Sequence, residues 1–390
     1  MVTMKLKDCC TIIAGQSPES KYYNTEGVGI PFFQGKADFG EVYPTIRVYC
    51  SQPTKIAEKD DILLSVRAPV GPTNLSPGRV CIGRGLTAIR PSEILNLKYL
   101  LHYFRYFEAQ LQQKGTGTTF KAITQDVVKN LEVPIPSLDE QKRIVARIEE
   151  LFSELDNGVE TLRKTKQQLT VYRQAVLKDA FDRAGNNQLP LKEIIEKPRY
   201  GTSKKCSYDT DEHTIPVYRI PNIDYLQGTI SHDDLKYAAF TQDEFDALRL
   251  RNGDILIIRS NGSVSLVGRS AVVTGKDTHG LFAGYLMRLR IREGVDIFPQ
   301  YLNLYLNTHY ARYQIEQMAK STSGVNNINS DEICRISLPV CDIKLQNQII
   351  REIESRLSVC DSIEKTVDTA LQQAEAMRQS ILKQAFEGRL

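Results

Sequence analysis

The chain has 390 residues, of which 41% are hydrophobic and 25% charged, with a formal net charge of +3. This length can form two or more domains with buried cores, and the composition is that of a globular protein. The sequence has no run of about 18 apolar residues and no apolar signal-peptide stretch, so we predict no membrane span and expect a cytoplasmic location. The eight cysteines form no CxxC pair, which argues against a zinc site and a disulfide framework.

Residues 1–133 are predicted to form a globular α+β domain. Short β-rich runs are broken by Gly and Pro, and a short amphipathic helix opens at Tyr99. The adjacent acids Asp60 and Asp61, just before an apolar run, indicate a turn. Asp126–Pro134 alternates apolar residues up to a proline, which is typical of a last strand.

Residues 134–184 are predicted to contain a long helix of about 40 residues, or about 60 Å. Ser137–Glu140 resembles a capping box at its start. Apolar residues recur at a strict seven-residue spacing, as in a coiled-coil helix. Leu151 and Tyr172 fall on the other apolar position of the heptad, which we call the second seam position. The residues of that spacing are Ile148, Leu155, Leu162, Leu169 and Val176.

Residues 185–338 and 339–390 repeat this order as a second α+β domain and a second long helix. Asp331–Pro339 corresponds to the earlier last strand. Ile363, Ala370 and Met377 fall on the second seam position of the new helix. Its seven-residue spacing is carried by Ile353, Cys360, Val367, Ala374 and Ile381.

The two long helices are copies of one another. Arg173–Phe181 returns as Arg378–Phe386 at an offset of 205 residues, and about 15 of 41 positions from Gln141 and Gln346 onward are identical. The predicted fold is therefore α+β, with two globular domains alternating with two long helices in a pseudo-two-fold repeat. We expect the helices to pair as an antiparallel coiled coil, although heptads can equally recruit another protein.

This order of segments resembles the specificity (S) subunit of type I restriction-modification systems. Val133–Ile144 is similar to the start of that family's helical region, and Leu338–Ile349 keeps one of its two prolines. Gly15–Pro18 resembles the Gly-x-Ser-Pro turn of a target recognition domain, whereas the second domain has Gly201-Thr-Ser without the proline. Gly253–Leu256 is also typical of the family.

The resemblance implies a non-catalytic DNA-recognition subunit of a methyltransferase and endonuclease complex. Each recognition domain would bind one half of a bipartite, asymmetric site in double-stranded DNA. The helices would set the half-site spacing and dock two methyltransferase (modification) subunits, and through them restriction or translocase subunits. The same ten heptad residues are the candidates for helix pairing and subunit docking. No cofactor and no membrane partner are expected.

Candidate DNA contacts follow from residue chemistry, because Arg and Lys recognise guanine, Asn and Gln recognise adenine, and Thr or backbone amides bind phosphates. Lys114–Lys121 is a Gly/Thr loop flanked by lysines, which suits phosphate contact or a flexible solvated loop. The first-domain candidates are Gln34, Lys36, Arg67, Arg79, Arg84, Lys114, Thr116, Thr118 and Lys121. The second-domain candidates are Arg199, Tyr200, Lys204, Lys205, Arg259, Asn261, Asn326 and Asn327. The last two asparagines can instead be left-handed turn residues.

Catalytic motifs are not evident. Gly268–Asp277 fails the phosphate-loop pattern, since Asp277 stands where Ser or Thr is needed. No Asn/Asp-Pro-Pro-aromatic stretch suggests binding of S-adenosylmethionine, and the five histidines lack metal-ligand spacing. Two alternatives remain open, a coiled-coil adaptor and a catalytic nuclease or methyltransferase. The adaptor does not account for two related, diverged domains, and the enzyme has no motif to support it.

Overall fold

The computed structural model describes residues 2–117, 121–322 and 324–390. It contains two compact units: the first unit is Met1–Arg163 with Asp368–Leu390, and the second is Lys164–Val367. This division falls inside both long helices, so each unit holds one globular part and a segment of each helix. The four predicted segments separate the globular parts from the long helices, whereas the two units are groups of residues in contact. The predicted segment boundaries remain predictions. Among the described residues, no helix has the length and apolar character that a membrane crossing requires.

The globular part of the first unit is a mixed α+β structure. Its strands are β1 (Thr3–Lys5), β2 (Cys10–Ala14), β3 (Tyr23–Asn24), β4 (Ile30–Phe33), β5 (Tyr49–Cys50), β6 (Ile56–Ala57), β7 (Ile62–Val66), β8 (Val70–Leu75), β9 (Val80–Ile82), β10 (Leu86–Pro91) and β11 (Glu132–Pro134). Its helices are α1 (Leu6–Cys9), α2 (Leu97–Gln113) and α3 (Gln125–Lys129), followed by the long helix α4 (Leu138–Asp182). Two sheets have the orders β2-β10-β7-β8 and β3-β5-β4-β9-β6, and β1 pairs with β11.

The second unit repeats this arrangement with more short strands. Its strands are β12 (Gln188–Pro190), β13 (Arg199–Tyr200), β14 (Thr214–Tyr218), β15 (Ile223–Asp224), β16 (Thr229–Ile230), β17 (Lys236–Ala239), β18 (Ile255–Ile258), β19 (Ser260–Asn261), β20 (Ser270–Val272), β21 (Leu281–Phe282), β22 (Leu286–Leu289), β23 (Lys320–Thr322), β24 (Val325–Asn327) and β25 (Ser337–Pro339). Its helices are α5 (Leu191–Ile194), α6 (Gln242–Leu248), α7 (Pro299–Leu306), α8 (His309–Met318) and α9 (Ser330–Arg335), followed by the long helix α10 (Ile343–Phe386), which continues into the first unit.

The central sheets of the two units share strand order and register. β2-β10-β7-β8 corresponds to β13-β22-β18-β20 within a six-stranded sheet. Ile62 of β7 lies opposite Ile89, as Ile255 of β18 lies opposite Leu289. Both central strands are wholly buried, and all of their residues except Ser65 are apolar, so the hydrophobic effect fixes which strands occupy the middle of each sheet.

Each central strand begins at a buried carboxylate. Asp61 and Asp254 are both 1% exposed, and each accepts two hydrogen bonds of 2.7–2.8 Å from one guanidinium, that of Arg90 or Arg290. Each carboxylate also accepts the backbone N–H three residues earlier in the chain. Three charge-assisted bonds offset the desolvation of each acid and close the turn before the strand.

The turn predicted at Asp60 and Asp61 is confirmed, and its geometry explains a difference between the copies. Asp60 has φ +65°, and Gly253 stands at the matching position with φ +90°. Aspartate is one of the few side chains that tolerate this left-handed conformation, so it can replace the glycine there. The sequence interpretation missed the ion pair of Asp61 with Arg90.

Both long helices start at a side-chain cap. The Ser137 hydroxyl accepts the N–H of Glu140 at 3.3 Å, and the Asp342 carboxylate accepts the N–H of Leu345 at 2.8 Å. The Glu140 carboxylate accepts a hydrogen bond from Arg143. The structure therefore shows the serine cap of the predicted capping box, with the glutamate engaged elsewhere.

A buried glutamine in the first turn of each long helix joins it to the globular part of its unit. Gln141 and Gln346 are fully buried, and each side-chain amide makes three hydrogen bonds of 2.7–3.0 Å. In both cases Oε1 accepts a backbone N–H just before α2 or α7. Nε2 donates to one carbonyl in that loop and to another just before the long helix. The sequence identity at these positions thus has the same physical cause in both copies.

The last turns of each long helix also pack on a globular part. In the first unit, the Phe386 ring of α10 lies 5.2 Å from the Tyr99 ring of α2. In the second unit, the Phe181 ring of α4 lies 5.0 Å from the Tyr301 ring of α7. The repeated phenylalanine is therefore a packing residue in each unit.

Ion pairs between segments of the two long helices recur within the units. In the second unit Arg173 pairs with Asp361 at 2.6 Å and with Glu364 at 3.0 Å. In the first unit Arg378 pairs with Asp156. Since Arg173 and Arg378 are repeat positions, as are Asp156 and Asp361, the same ion pair forms twice with its partners exchanged.

The ten residues of the predicted seven-residue spacing are buried or half-buried in α4 and α10. The prediction that the second seam position packs against a partner helix is wrong at Tyr172, Ile363 and Met377, whose side chains are 48%, 40% and 54% exposed. A straight α-helix with 3.6 residues per turn drifts away from a strict seven-residue repeat, so these side chains rotate toward solvent.

Candidate nucleic-acid interface

A glycine turn and a β-turn lie against each other at one end of the central sheet of the first unit. The Gly15 N–H donates to the Leu86 carbonyl at 2.9 Å, and the Gly83 N–H donates to the Phe33 carbonyl at 2.8 Å. A Cβ on Gly15 would lie 2.2 Å from the Gly83 carbonyl oxygen, so only glycine fits. We call this turn pair, with the strand ends it joins, the loop platform.

The second unit has the same loop platform. The Gly201 N–H donates to the Leu286 carbonyl at 3.3 Å, and the Ala283 N–H donates to the Tyr218 carbonyl at 2.9 Å. A Cβ on Gly201 would lie 2.2 Å from the carbonyl oxygen of Phe282. The backbone contact explains the glycine in both turns, whether or not a proline follows.

Several first-unit candidates are brought to this platform. Arg67 and Thr116 both form isolated β-bridges with Ala122, beside Lys121. A Cβ on Gly83, next to Arg84, would lie 3.2 Å from the Gln34 Cα. Exposed side chains on this surface are Gln34, Arg67, Arg84, Thr116 and Lys121. Separate loops therefore place three cations, an amide and a hydroxyl on one face.

The other first-unit candidates pair with an acid, lie in neighbouring turns or fall outside the described residues. Arg79 precedes β9, whereas Arg84 follows it, and Arg79 pairs with Glu58 at 3.9 Å. Lys36 lies in a 3₁₀ turn whose last residue, Asp38, accepts the Gln34 N–H. Lys114 is exposed at the end of α2, and Thr118 lies outside the described residues.

In the second unit, Arg259 and Tyr200 are brought into contact. The Arg259 guanidinium lies 4.7 Å from the centre of the Tyr200 ring, and its Nη1 donates to the Gly284 carbonyl at 3.1 Å. The Tyr200 hydroxyl accepts the Ser330 N–H at 3.1 Å. The arginine is thus held on an aromatic face that the backbone itself holds in place.

Other second-unit candidates are already engaged or lie exposed. Lys204 pairs with Glu244 at 2.6 Å, whereas Lys205 and Arg199 are exposed. The Asn261 side chain accepts the Ser263 N–H at 2.8 Å. The side-chain amides of Asn326 and Asn327 donate to carbonyls of Gly262 and Val325 at 2.9 and 3.3 Å. These contacts are those expected of turn-stabilising residues.

A cavity of about 740 Å³ opens beside this cluster in the second unit. Its described lining includes no carboxylate. The cations that line it are Lys204, Lys205, Arg219, Lys236 and Arg259. Tyr285, at its edge, is 63% exposed. A concave, cationic surface with an exposed aromatic ring suits a nucleic-acid backbone and its bases.

Sequence reasoning missed Arg219, Lys236 and Tyr285. Arg219 follows β14, Lys236 is the first residue of β17, and Tyr285 follows Gly284, so no local pattern marks them. The Arg219 guanidinium pairs with Asp234 at 2.9 Å, and its Nε is buried without a hydrogen-bond partner among the described residues. Only the folded chain brings these groups to the cavity.

The loop after β19 is held by a buried arginine. Nη1 of Arg312 donates to the Val267 carbonyl at 2.5 Å, and Nη2 donates to the Val264 carbonyl at 3.2 Å. Burial, and secondly the charge of Arg269, lowers the pKa of Arg312 to about 10, so it stays protonated at neutral pH. The loop next to Asn261 is therefore fixed by a cation within the fold.

Neither of the remaining sequence patterns forms a catalytic or metal arrangement within the described residues. Gly275–Asp277 is a short 3₁₀ turn, and the buried Asp277 carboxylate hydrogen-bonds to Thr274 and to His232. No group of three or more His, Cys, Asp and Glu side chains in residues 2–117, 121–322 and 324–390 could hold a metal ion.

Comparison with known proteins shows similarity to one family. Residues 1–170 match the model of the type I restriction modification DNA specificity domain. The putative type I restriction enzyme MjaX specificity subunit of Methanocaldococcus jannaschii is 41% identical over 167 residues, covering 43% of this chain and 38% of that protein. The EcoKI specificity subunit of Escherichia coli is 25% identical over 330 residues, covering 80% of this chain and 70% of that protein.

Among solved structures, an HsdS subunit from Thermoanaerobacter tengcongensis matches with 47% identity and a TM-score of 0.37, over 39% of this chain and 37% of that one. The alignments with this structure and with the MjaX specificity subunit each cover less than half of this chain, and 37% and 38% of the length of those proteins. The family model covers the first domain and most of α4, and the matched relatives share one description. Residues 1–170 therefore carry the features of a type I restriction modification DNA specificity domain, and the chain is similar to type I restriction enzyme specificity subunits.

Proposed function

We propose that the chain is the DNA sequence-specificity subunit of a type I restriction-modification complex. Residues 1–133 and 185–338 each bind one half of a bipartite, asymmetric DNA site. The chain itself is non-catalytic, and the methyl transfer belongs to its partner subunits. One observation carries this proposal: the same loop platform occurs in both units, and it carries different exposed side chains in each.

The charge distribution supports DNA as the ligand. The whole chain carries only +3, so affinity for a polyanion must come from local groups. Arg67, Arg84 and Lys121 are exposed at the first platform, and the cavity at the second platform is lined by cations. Arg79 and Lys204, which have carboxylate partners, contribute to the positive field rather than to base contacts in this proposal.

The long helices are proposed to form an antiparallel coiled coil with pseudo-two-fold symmetry. The exchanged ion pairs Arg173–Asp361 and Arg378–Asp156 support this, because an early segment of one helix meets a late segment of the other within each unit. The coiled coil sets the half-site spacing and docks two methyltransferase subunits, through which restriction subunits join. Val171 and Val359, at 70% and 58% exposed, provide apolar surface for such docking.

A binding selection tests this function. The full chain, co-purified with its methyltransferase subunits, is mixed with a pool of random duplexes, and the bound DNA is sequenced. We expect enrichment of a split, asymmetric motif and an affinity that falls steeply with salt, since lysines and arginines displace phosphate counterions. Equal binding of target and random duplexes would contradict the proposal.

Substitutions separate phosphate contacts from base contacts. Lys121→Ala should weaken all sequences alike and reduce the salt slope by about one. Lys59→Ala is the matched control, because this exposed lysine precedes β7 at the end opposite to Arg67. A change in the enriched motif with Lys121→Ala would assign that lysine to a base instead.

A further inference from the structure

Arg259 and Val66 occupy the same backbone position in the two units. The Val66 N–H donates to the Gly85 carbonyl, and the Arg259 N–H donates to the Tyr285 carbonyl, both at 2.9 Å. The carbonyls of Val66 and Arg259 also accept a backbone N–H, from Ile123 before α3 at 3.0 Å and from Ile328 before α9 at 2.9 Å. Identical backbone constraints therefore carry an aliphatic side chain in the first unit and a cation in the second.

The residues around Arg259 and Val66 also differ, being aromatic in the second unit and small in the first. Tyr200 precedes Gly201 as Ala14 precedes Gly15, and those glycines make equivalent hydrogen bonds. The second unit thus carries an aromatic and cationic cluster where the first unit has small or aliphatic residues. The matched residues are Tyr200, Arg259 and Tyr285 in the second unit, against Ala14, Val66 and Gly85 in the first.

Arg259 is held in place without being neutralised. Its guanidinium carbon lies 4.7 Å from the centre of the Tyr200 ring, and its Nη1 donates to the Gly284 carbonyl. Among the described side chains, none that carries a carboxylate forms an ion pair with it. A side chain that recognises a base must be held rigidly by its surroundings, and Arg259 meets this requirement.

One edge of the guanidinium is left over. Nε is buried with no hydrogen-bond partner among the described residues, and Nη1 donates one of its two N–H groups to the Gly284 carbonyl. The Nη1/Nη2 edge therefore remains, and its two parallel N–H donors match the O6 and N7 acceptors of guanine in the major groove. Adenine and thymine present no such acceptor pair, so this edge discriminates between bases.

We propose that Arg259 is a specificity-determining residue that recognises a guanine in the half-site bound by the second unit. Tyr200 acts as its positioning residue, and Lys205 and Lys236 at the cavity attract the flanking DNA phosphates. The inference rests on the proposed function, since it assumes that the second unit binds DNA. It adds the base recognised and the residue responsible.

The test repeats the binding selection with Arg259→Val, which copies the first unit, and with Arg259→Lys, which keeps the charge. Both variants should lose preference for guanine at one position of one half-site by roughly 5- to 150-fold, the range a bidentate contact supplies. The other half-site should be unchanged. Lys205→Ala, at the same cavity, is the control and should weaken all sequences without altering the motif.

The outcomes are separable. A wild-type motif that survives both Arg259 variants, or a uniform loss of affinity with both, overturns the inference and leaves the proposed function intact. A wild-type chain that enriches no motif overturns the proposed function and the inference with it. Thermal unfolding followed by circular dichroism identifies a misfolded variant, and Arg259→Lys retains the stacked cation if Arg259→Val fails to fold.

Discussion

At the loop platform of the first unit, Val66 and Gly85 occupy the positions that Arg259 and Tyr285 occupy in the second. The backbone hydrogen bonds at these positions are the same in both units, whereas the side chains share no chemistry. Backbone bonds and buried strands fix the platform, so its exposed side chains can change without disturbing the fold. A duplicated scaffold can thereby carry two different recognition surfaces.

The helices α2 and α7, on which the last turns of the long helices pack, show a second difference between the units. Tyr99 of α2 and Tyr301 of α7 donate hydrogen bonds to equivalent proline carbonyls, but α2 continues for 17 residues whereas α7 ends after eight. In the second unit the Thr308 hydroxyl accepts the Ala311 N–H and starts α8. Three residues after the tyrosine, the first unit has a buried His102 where the second has Leu304. Four predictions follow from such matched positions.

The largest expected difference concerns the buried aspartates. Asp254→Ala should destabilise the fold by about 3–5 kcal/mol, because Arg290, with a side chain only 14% exposed, keeps an uncompensated charge. Asp61→Ala should cost less, about 2 kcal/mol, because Arg90 is 43% exposed and can reach water. Urea unfolding, with amide exchange in β18 and β7, measures both. Asp246→Ala on the exposed face of α6 is the control, and equal costs would refute the difference.

The next effect is a pH dependence confined to the first unit. Burial, and secondly Arg105, lowers the pKa of His102 from 6.5 to about 4. The unfolded chain therefore binds this proton more readily, and stability is lost as pH falls from 6.5 toward 4, by about 3 kcal/mol in total.

Replacing this histidine with its counterpart from the second unit tests the effect. His102→Leu should remove the acid-dependent loss, which is measured by denaturant unfolding at pH 7 and pH 5. The exposed His309 provides the control variant His309→Leu, which should keep the wild-type dependence. The same pH dependence in His102→Leu and wild type would rule out this role of His102.

The buried glutamines should behave alike in both units. Gln141→Ala and Gln346→Ala each leave one N–H and two carbonyls without their partner, at an expected cost of about 2 kcal/mol. Thermal unfolding measures the two costs side by side. Gln112→Ala, at an exposed glutamine of α2, should have little effect. Clearly unequal losses of unfolding free energy for Gln141→Ala and Gln346→Ala would show that the two glutamines are not equivalent.

The smallest effect concerns the exchanged ion pairs. Arg173 has two carboxylate partners and a side chain 14% exposed, whereas Arg378 has Asp156 and is 29% exposed. Arg173→Gln should therefore cost about 1 kcal/mol and Arg378→Gln about half as much, and added salt should reduce both costs. Unfolding at low and high salt gives the values. A larger cost for Arg378→Gln would reverse the expected order.

Local signals predicted the long helices well. The predicted segments 134–184 and 339–390 contain the observed Leu138–Asp182 and Ile343–Phe386, because caps and heptad spacing are properties of neighbouring residues. The strands predicted over Asp126–Pro134 and Asp331–Pro339 are right only at their ends, Glu132–Pro134 and Ser337–Pro339. The prediction is wrong for the residues before them, which lie in the short capped helices α3 and α9. The second helix seam failed at Tyr172, because its exposure depends on how the helix turns relative to its neighbour.

The candidate interface was predicted only as regions. Arg259 was identified from its residue type and its place after a strand, but its stacking on Tyr200 joins residues far apart in the chain. Lys204 has the sequence features of a DNA contact, yet Glu244 lies against it in the fold. The pairing of a cation with an acid or an aromatic depends on strand register, which no local pattern reveals.

The sequence by itself determined the resemblance to type I specificity subunits, the repeat and the positions of both long helices, because repetition and periodicity are properties of the residue order. The tertiary structure alone decided which loops form the platforms and which cations keep a free edge. It also decided that Val66 and Arg259 share a backbone position. The physical reason is that long-range hydrogen bonds and burial, rather than neighbouring residues, fix the positions of these side chains.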